Sequence, residues 1–277
     1  MNADGWVECR CGSRHWGLAG AAGLLLTDGE HVVLQHRVGW SHFGDTWGIP
    51  GGALQVGESA VHGALREARE EAGLPPETVR VVATSVLEHP DWSYTTVVGR
   101  ADTPVQVSAT DRESQAVAWV PLREVTDRAL LPAFADAWPL LRAMADADPY
   151  VVVDVANVVG SRPDGWWRDR RGASERLLGQ LESRATQGVP ADLLGLPGRT
   201  WWPRWGGVVE GAARGIDATE HIAVTAAPGS GDDTIVDLVS ALTSSPVQVV
   251  TADRGLSDRV TALGARIIRP SSLVHLL

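Results

Sequence analysis

The sequence predicts two α/β domains in tandem, residues 1–145 and 150–277. Three observations predict it. The chain has 277 residues, against about 100–200 per domain, so two separate cores are expected. Ala145-Asp146-Ala147-Asp148-Pro149 is a polar, proline-ended stretch suited to a linker. Beyond it, continuous apolar runs alternate with helical patterns, which implies a parallel sheet covered by helices.

Ala19–Leu26 and His31–His36 read as strands around Thr27-Asp28-Gly29-Glu30, whose Asp-Gly pair suits a hairpin. Val38–Gly52 reads as a loop rich in Trp, Gly and Pro. Ser59–Ala72 reads as a helix: Ser59 is the N-cap, Val61, Leu65 and Ala68 form the apolar stripe, and Gly73 stops it. Short strands are expected near Val79–Leu87, Thr95–Arg100 and Ala116–Val120, then helical segments over Leu122–Val125 and Pro132–Ala145. In the second domain Tyr150–Val155 is an apolar run of the kind buried on both faces. Strands at His221–Ala226, Val247–Thr251 and Ala265–Ile268 alternate with helices at Asp232–Leu242 and Leu256–Leu263, and a further helix spans Ser174–Ala185.

Charge is unevenly placed. All 24 basic residues are arginine, and the net charge is −10. Residues 1–149 hold 11 arginines and 20 acids, a balance of −9, whereas residues 150–277 hold 13 and 14. The acidic half argues against general nucleic-acid binding there. No apolar run approaches the ~20 residues of a membrane helix. The N-terminus lacks a basic segment followed by an apolar one. A soluble cytoplasmic protein with no membrane partner is expected. Cys9 and Cys11 are too close to staple a fold. With His15 they make three zinc-type ligands, one short of a structural site, and a surface turn is the preferred reading.

The strongest signal lies in GGALQVGESAVHGALREAREEAGL. Glu67, Glu70 and Glu71 stand at i, i+3 and i+4 and share a helix face. Three carboxylates there repel one another unless a cation lies between them, and Mg²⁺ or Mn²⁺ prefers such hard oxygen ligands. A solvated acidic face is the alternative for the cluster taken alone. The full spacing is Gly52, five residues, Glu58, seven residues, then Arg66-Glu67-x-x-Glu70-Glu71-x-Gly73-Leu74. It resembles the Nudix box at every fixed position, with Ala68 where a larger aliphatic is common.

The resemblance covers roughly residues 15–145. It implies a mixed sheet sandwiched between helices, and metal-dependent cleavage of the diphosphate linkage in a nucleoside diphosphate derivative, a nucleoside triphosphate being favoured. It implies Glu67, Glu70 and Glu71 as metal ligands and catalytic residues. It implies Glu58 with Arg66 as a structural ion pair, and Gly52 as a carbonyl that joins the metal shell. Substrate choice is set outside the box. Arg37 is a candidate phosphate contact, and Trp47, Trp92 and Tyr94 either stack on a base or anchor loop and core. Glu113 reads as an auxiliary acid or base, or as a surface charge.

In residues 150–277 acids fall at strand and helix ends: Asp154, Asp232, Asp253. In an open parallel sheet functional groups gather at the strands' carboxyl ends, so these three are candidate ligands of a second Mg²⁺ or Mn²⁺; capping and turn roles are the alternatives for Asp232 and Asp253. The order VVVDVANVVGSR, GDDTIVDLV, VVTADRGLSDRV resembles the PIN-like NYN (YacP-like) nucleases. That resemblance implies a ribonuclease, with Glu175 or Asp169 as a further acid. Arg162–Arg171 and Trp201-Trp202-Pro203-Arg204-Trp205 suit either single-stranded RNA or a domain or homodimer interface. A rival reading makes the whole chain a nucleotide-sensing regulator in which the first domain controls or supports a degenerate second one.

Overall fold

The computed structural model describes residues 3–41, 43–163, 165–242 and 245–277. The chain divides into two compact units: one runs to Asp146 and includes Pro197–Arg199, the other comprises Ala147–Leu196 and Thr200–Leu277.

The first unit opens with an antiparallel hairpin, β1 (Trp6–Glu8) and β2 (Arg14–Trp16). Its three-residue strands are too short to show alternation in sequence. β3 (Ala21–Thr27) and β4 (His31–Arg37) meet at the expected turn. There Asp28 accepts the N–H groups of Glu30 and His31 at 2.8 and 2.7 Å. The stretch read as a loop holds two short strands, β5 (Trp47–Gly48) and β6 (Gly51–Ala53). β6 pairs antiparallel with β3, which sets Gly51 and Gly52 beside Gly23 and Ala22. α1 (Ala60–Ala72) follows, with Ser59 Oγ accepting the His62 N–H at 3.2 Å. Gly73 ends it at φ 66°, in the left-handed region where a side chain is disfavoured.

β7 (Arg80–His89) and β8 (Trp92–Arg100) form a long hairpin, and β8 runs parallel to β3. β9 (Ser114–Pro121) pairs antiparallel with β4, with a register shift between His36 and Arg37. α2 (Pro132–Asp146) completes the unit. The sheet is therefore mixed. All of β3 is buried. Ala22, Leu24 and Leu26 pack with Val97 and with Ala64, Ala68 and Ala72 of α1. α2 buries Phe134, Trp138, Leu141 and Met144 and packs against β8.

The second unit runs β10 (Tyr150–Asp154), α3 (Val155–Gly160), α4 (Arg170–Gln187), β11 (Val189–Pro190), α5 (Ala191–Leu194) and β12 (Thr200–Trp201). It continues with β13 (Arg204–Val209), β14 (Ile222–Ala226), α6 (Gly231–Ala241), β15 (Val247–Val250), α7 (Arg254–Thr261), β16 (Arg266–Ile268) and α8 (Pro270–Val274). Five strands make the expected parallel sheet, in the order β14-β13-β10-β15-β16. Its core joins Val152, Val208, Val249, Ile235 and Leu256.

One reading is corrected here. The single-stranded-RNA reading of Trp201–Trp205 does not hold: the segment contributes to β12 and to β13, an interior strand of the parallel sheet. Trp201 and Trp205 are 0% and 2% exposed, and Trp202 Nε1 donates to the Thr186 carbonyl at 3.2 Å. The Gly206-Gly207 pair and the proline masked the strand in sequence, although β13 is flanked by β10 and β14, where a buried strand is expected.

Candidate active site

The box helix is fixed at both ends, and two of its carboxylates, Glu67 and Glu71, face β6. Arg66 organises them. Its Nε donates to Glu58 Oε1 at 2.9 Å and its Nη2 to Glu58 Oε2 and the Ala53 carbonyl, both at 3.0 Å. Its Nη1 donates to Glu67 at 2.7 Å and to Glu70 at 3.3 Å. Glu58 also accepts the Gln55 N–H at 2.9 Å, so one guanidinium ties the loop before the helix to two of the helix's three carboxylates. The Glu67 carboxylate lies against Gly52; a Cβ at Gly52 would sit 2.8 Å from it. Only glycine admits that approach.

Glu71 sits deeper, 8% exposed, and accepts the Gly51 N–H at 2.9 Å. Burial pushes its carboxyl up to about 8, with Glu67 and Asp111 adding repulsion and Arg37 opposing it. Burial also raises Glu67, against the pull of Arg66. A loop delivers further acids to Glu71. Ser108 and Thr110 donate their N–H groups to the carbonyls of Ala72 and Glu71, and Thr110 Oγ1 donates to the Glu70 carbonyl at 2.6 Å. The loop is thereby docked on the C-terminal end of α1. Ser114 N–H then bonds Asp111 Oδ1 at 3.0 Å, and Val38 N–H bonds the Glu113 carbonyl at 3.0 Å. Glu71, Asp111 and Glu113 offer oxygens all within 4.8 Å of one another. Asp111 escaped the sequence reading, although it stands two residues before Glu113. These hard oxygens, from buried Glu71, half-buried Asp111 and exposed Glu113, fit a divalent cation, which would relieve the cost of ionising Glu71 beside its acidic neighbours.

The aromatic candidates are already engaged. Trp47 stacks on His36 (4.7 Å, 3°) with Arg128 Cζ 4.8 Å from its centroid. Trp92 stacks on His15 (4.4 Å, 9°), and its Nε1 donates to the Trp16 carbonyl at 3.1 Å. Tyr94 is half-buried, its hydroxyl tucked against the backbone of Gly23 and Gly51; burial raises its phenol, which stays neutral.

In the second unit Asp154 ends β10 and caps α3, accepting the Asn157 N–H at 3.1 Å and the Thr251 hydroxyl at 3.0 Å. Asn157 Oδ1 accepts the Ala252 N–H at 2.9 Å. Asp253 caps α7. Burial raises Asp154, and Asp232 and Glu210 repel it. Burial raises Asp232 as well, with repulsion from Asp253 and Glu210. Glu210 directly follows β13 and accepts the Gly231 N–H at 2.8 Å. It is the acid the sequence reading missed, because the strand before it was missed. Glu175 and Asp169 are not in this group: Glu175 pairs with Arg171 at 2.9 Å and Asp169 caps α4 through the Gly172 N–H.

A model of the NUDIX domain matches residues 17–144. The chain is 46% identical over 152 residues to a Bifidobacterium longum "Nucleoside triphosphate pyrophosphatase/Nudix hydrolase fusion protein", covering 52% of this chain and 32% of that relative. It thus spans about a third of that relative's length. It is 43% identical over 164 residues to the Mycobacterium tuberculosis "Putative 8-oxo-dGTP diphosphatase 3", covering 55% of this chain and 75% of that one. Among solved structures, a Nudix hydrolase from M. smegmatis, RenU, is 40% identical, with a TM-score of 0.46 over 50% of this chain and 92% of that one.

Proposed function

The chain belongs to the Nudix hydrolase family through its first unit, and on that premise we propose that it cleaves the diphosphate linkage of a nucleoside triphosphate, an oxidised guanine nucleotide among them. The carrying observation is the carboxylate set on α1 and the 108–113 loop: Glu67 and Glu70 gathered by Arg66, and Glu71 with Asp111 and Glu113. The relative bearing the name putative 8-oxo-dGTP diphosphatase supports the substrate class.

Family members use divalent cations, and Mg²⁺ or Mn²⁺ suits these oxygens; Glu67, Glu70 and Glu71, with the Gly52 carbonyl, would hold it. The bound cation supplies Lewis-acid polarisation of the diphosphate oxygens. The chain's own groups do the rest. Arg37, close enough to Glu71 to bias its ionisation, binds a phosphate. Glu113 or Asp111 takes the proton of the attacking water, being the acids that lie beside the Glu71 carboxylate. Arg66 holds Glu58 and fixes the loop against the helix. Trp47 and Trp92, fastened by their own stacking partners, are walls for a base rather than free plates.

A phosphate-release screen over canonical and 8-oxo nucleoside triphosphates, nucleotide sugars, dinucleotides and coenzymes, each with Mg²⁺ or Mn²⁺ and with chelator, tests this. Turnover of a triphosphate to monophosphate and pyrophosphate is expected, the pyrophosphate being read as phosphate after added inorganic pyrophosphatase; activity confined to nucleotide sugars would move the substrate class.

For the second unit we propose a metal-dependent ribonuclease centre of PIN-like type. The supporting observation is positional. The strand order reverses at β10, the place where open parallel sheets bind ligands. Asp154 stands there, bridged to Thr251 of the adjacent β15 end, with Asp232, Asp253 and Glu210 around it. Trp167, 59% exposed, remains as a stacking surface for a single strand. Cleavage of single-stranded RNA with Mn²⁺, lost in Asp154→Asn, is the expected result; cleavage unchanged in that variant would remove the reading.

A further inference from the structure

The turn between β1 and β2 carries two cysteines and leads to a histidine in the second strand, where His15 pairs with Val7. Their ligand atoms, Cys9 Sγ, Cys11 Sγ and an imidazole nitrogen of His15, all lie within 4.8 Å of one another. His15 Nε2 is 3.2 Å from Cys11 Sγ. Both thiols are free. Cys9 is 8% exposed, so this is no plain surface turn.

The surroundings are built to hold that arrangement. The turn is closed by Cys9 N–H to the Ser13 carbonyl at 3.1 Å and Gly12 N–H to the Cys9 carbonyl at 2.9 Å. Arg10, between the cysteines, locks onto the β7–β8 turn: its N–H and Nε bond Asp91 at 2.8 and 2.9 Å. The His15 ring is fixed by Trp92 on one contact and by His89, whose ring centre is 4.3 Å away.

We propose that Cys9, Cys11 and His15 form a second metal site, specific for a thiophilic divalent cation of the zinc class and separate from the hard-oxygen site on α1. Two thiolates and one imidazole match tetrahedral zinc and reject magnesium. Three protein ligands leave the fourth position to solvent, in keeping with the exposure of Cys11. The bound ion joins the two ends of the hairpin and holds His15 as the backing of Trp92. Trp92, with His89, Gly20, Val86 and Arg199, lines a cavity of about 630 Å³. The site thereby sets the position of one cavity wall.

The test uses the full chain, kept in excess Mg²⁺ so that the carboxylate site is occupied. Chelator-treated protein is titrated with Zn²⁺ and with Co²⁺. One equivalent retained, with a thiolate-to-cobalt charge-transfer band and tetrahedral d–d absorption, is expected. Cys11→Ser and His15→Gln, at exposed or half-exposed positions, should each weaken retention roughly tenfold or more and alter the band, whereas Glu70→Gln should keep both. Circular dichroism confirms that each variant is folded. Lack of stoichiometric Zn²⁺ in the wild type, or a band unchanged in Cys11→Ser, overturns the proposal.

Discussion

Glu71 shows how a single buried carboxyl couples stability, metal and pH. Without metal it holds its proton up to about pH 8, whereas a free glutamate ionises near pH ~4.3. Between those values the folded chain holds a proton that the unfolded chain has released. The stabilisation is fully present below pH ~4.3 and is lost as pH rises through about 8. The size is on the order of a few kcal/mol. Glu71→Gln has no such proton to lose and can still accept the Gly51 N–H. Metal-free melts at pH 5.5 and 8.5 should therefore show wild type falling behind the variant at the higher pH, with the gap closing when Mg²⁺ is added. Equal melting of the two proteins at both pH values would remove the buried-proton account. The same substitution takes away a charged oxygen ligand without changing shape. Glu70→Gln and Glu71→Gln should each lower turnover by orders of magnitude while circular dichroism stays native; near-wild-type rates at low metal would place the site elsewhere.

At the scale of elements, α1 does two jobs: it presents carboxylates on one side and carries the 108–113 loop on its C-terminal end. Gly73 joins them. It sits at φ 66°, and a Cβ there would lie 3.3 Å from Thr110 Cγ2. Gly73→Ala should cost about 1–2 kcal/mol from the left-handed backbone alone. Ser59→Ala, losing the cap at the other end, should cost about 1 kcal/mol. Only Gly73→Ala presses on the loop that brings Asp111 and Glu113, so it should lower kcat/KM well beyond Ser59→Ala. Equal rates in the two variants, measured below their melting transitions, would argue that the loop takes no part.

These ends were legible in sequence because capping chemistry is local: Ser59 and Gly73 are the residues that helix termini demand. The Glu67, Glu70, Glu71 face was legible for the same reason, being a matter of helical period. What was not legible depended on partners distant in sequence. Asp111 acquires meaning only when Thr110 docks on α1. Glu210 does so only when β13 is seen as an interior strand, and the arginine and glycines of that strand gave no clean apolar run. Trp47 and Trp92 read as base platforms or as anchors of loop and core, and sequence could not choose, because the stacking partners His36 and His15 lie on other elements.

The whole molecule is two cores on one chain. Ala22, Leu24, Ala68 and Val97 belong to one cluster, and Val152, Val249, Ile235 and Leu256 to another. A break between Asp146 and Ala147 separates them in sequence, with one exception: Pro197–Arg199 groups with the first unit. Arg199 N–H bonds the Thr84 carbonyl at 2.7 Å, and its guanidinium pairs with Glu88 at 2.5 Å. A fragment of residues 1–146 lacks both. The exposed ion pair is worth little, about 0–1 kcal/mol, and the backbone bond about 1 kcal/mol. The fragment should therefore still melt cooperatively, with a Tm lower by roughly 3–6 °C, and should keep its metal-dependent turnover, since every box residue and both loop acids lie before the cut. Residues 147–277 should fold separately around the parallel sheet. Scanning calorimetry of the full chain and both fragments decides it. If the first fragment lost its cooperative transition, the second stretch would be supplying more than three residues to the first core. If it melted well but turned over no triphosphate, the catalytic site would extend past Asp146, and the role assigned to the carboxylates of α1 and the 108–113 loop would be incomplete.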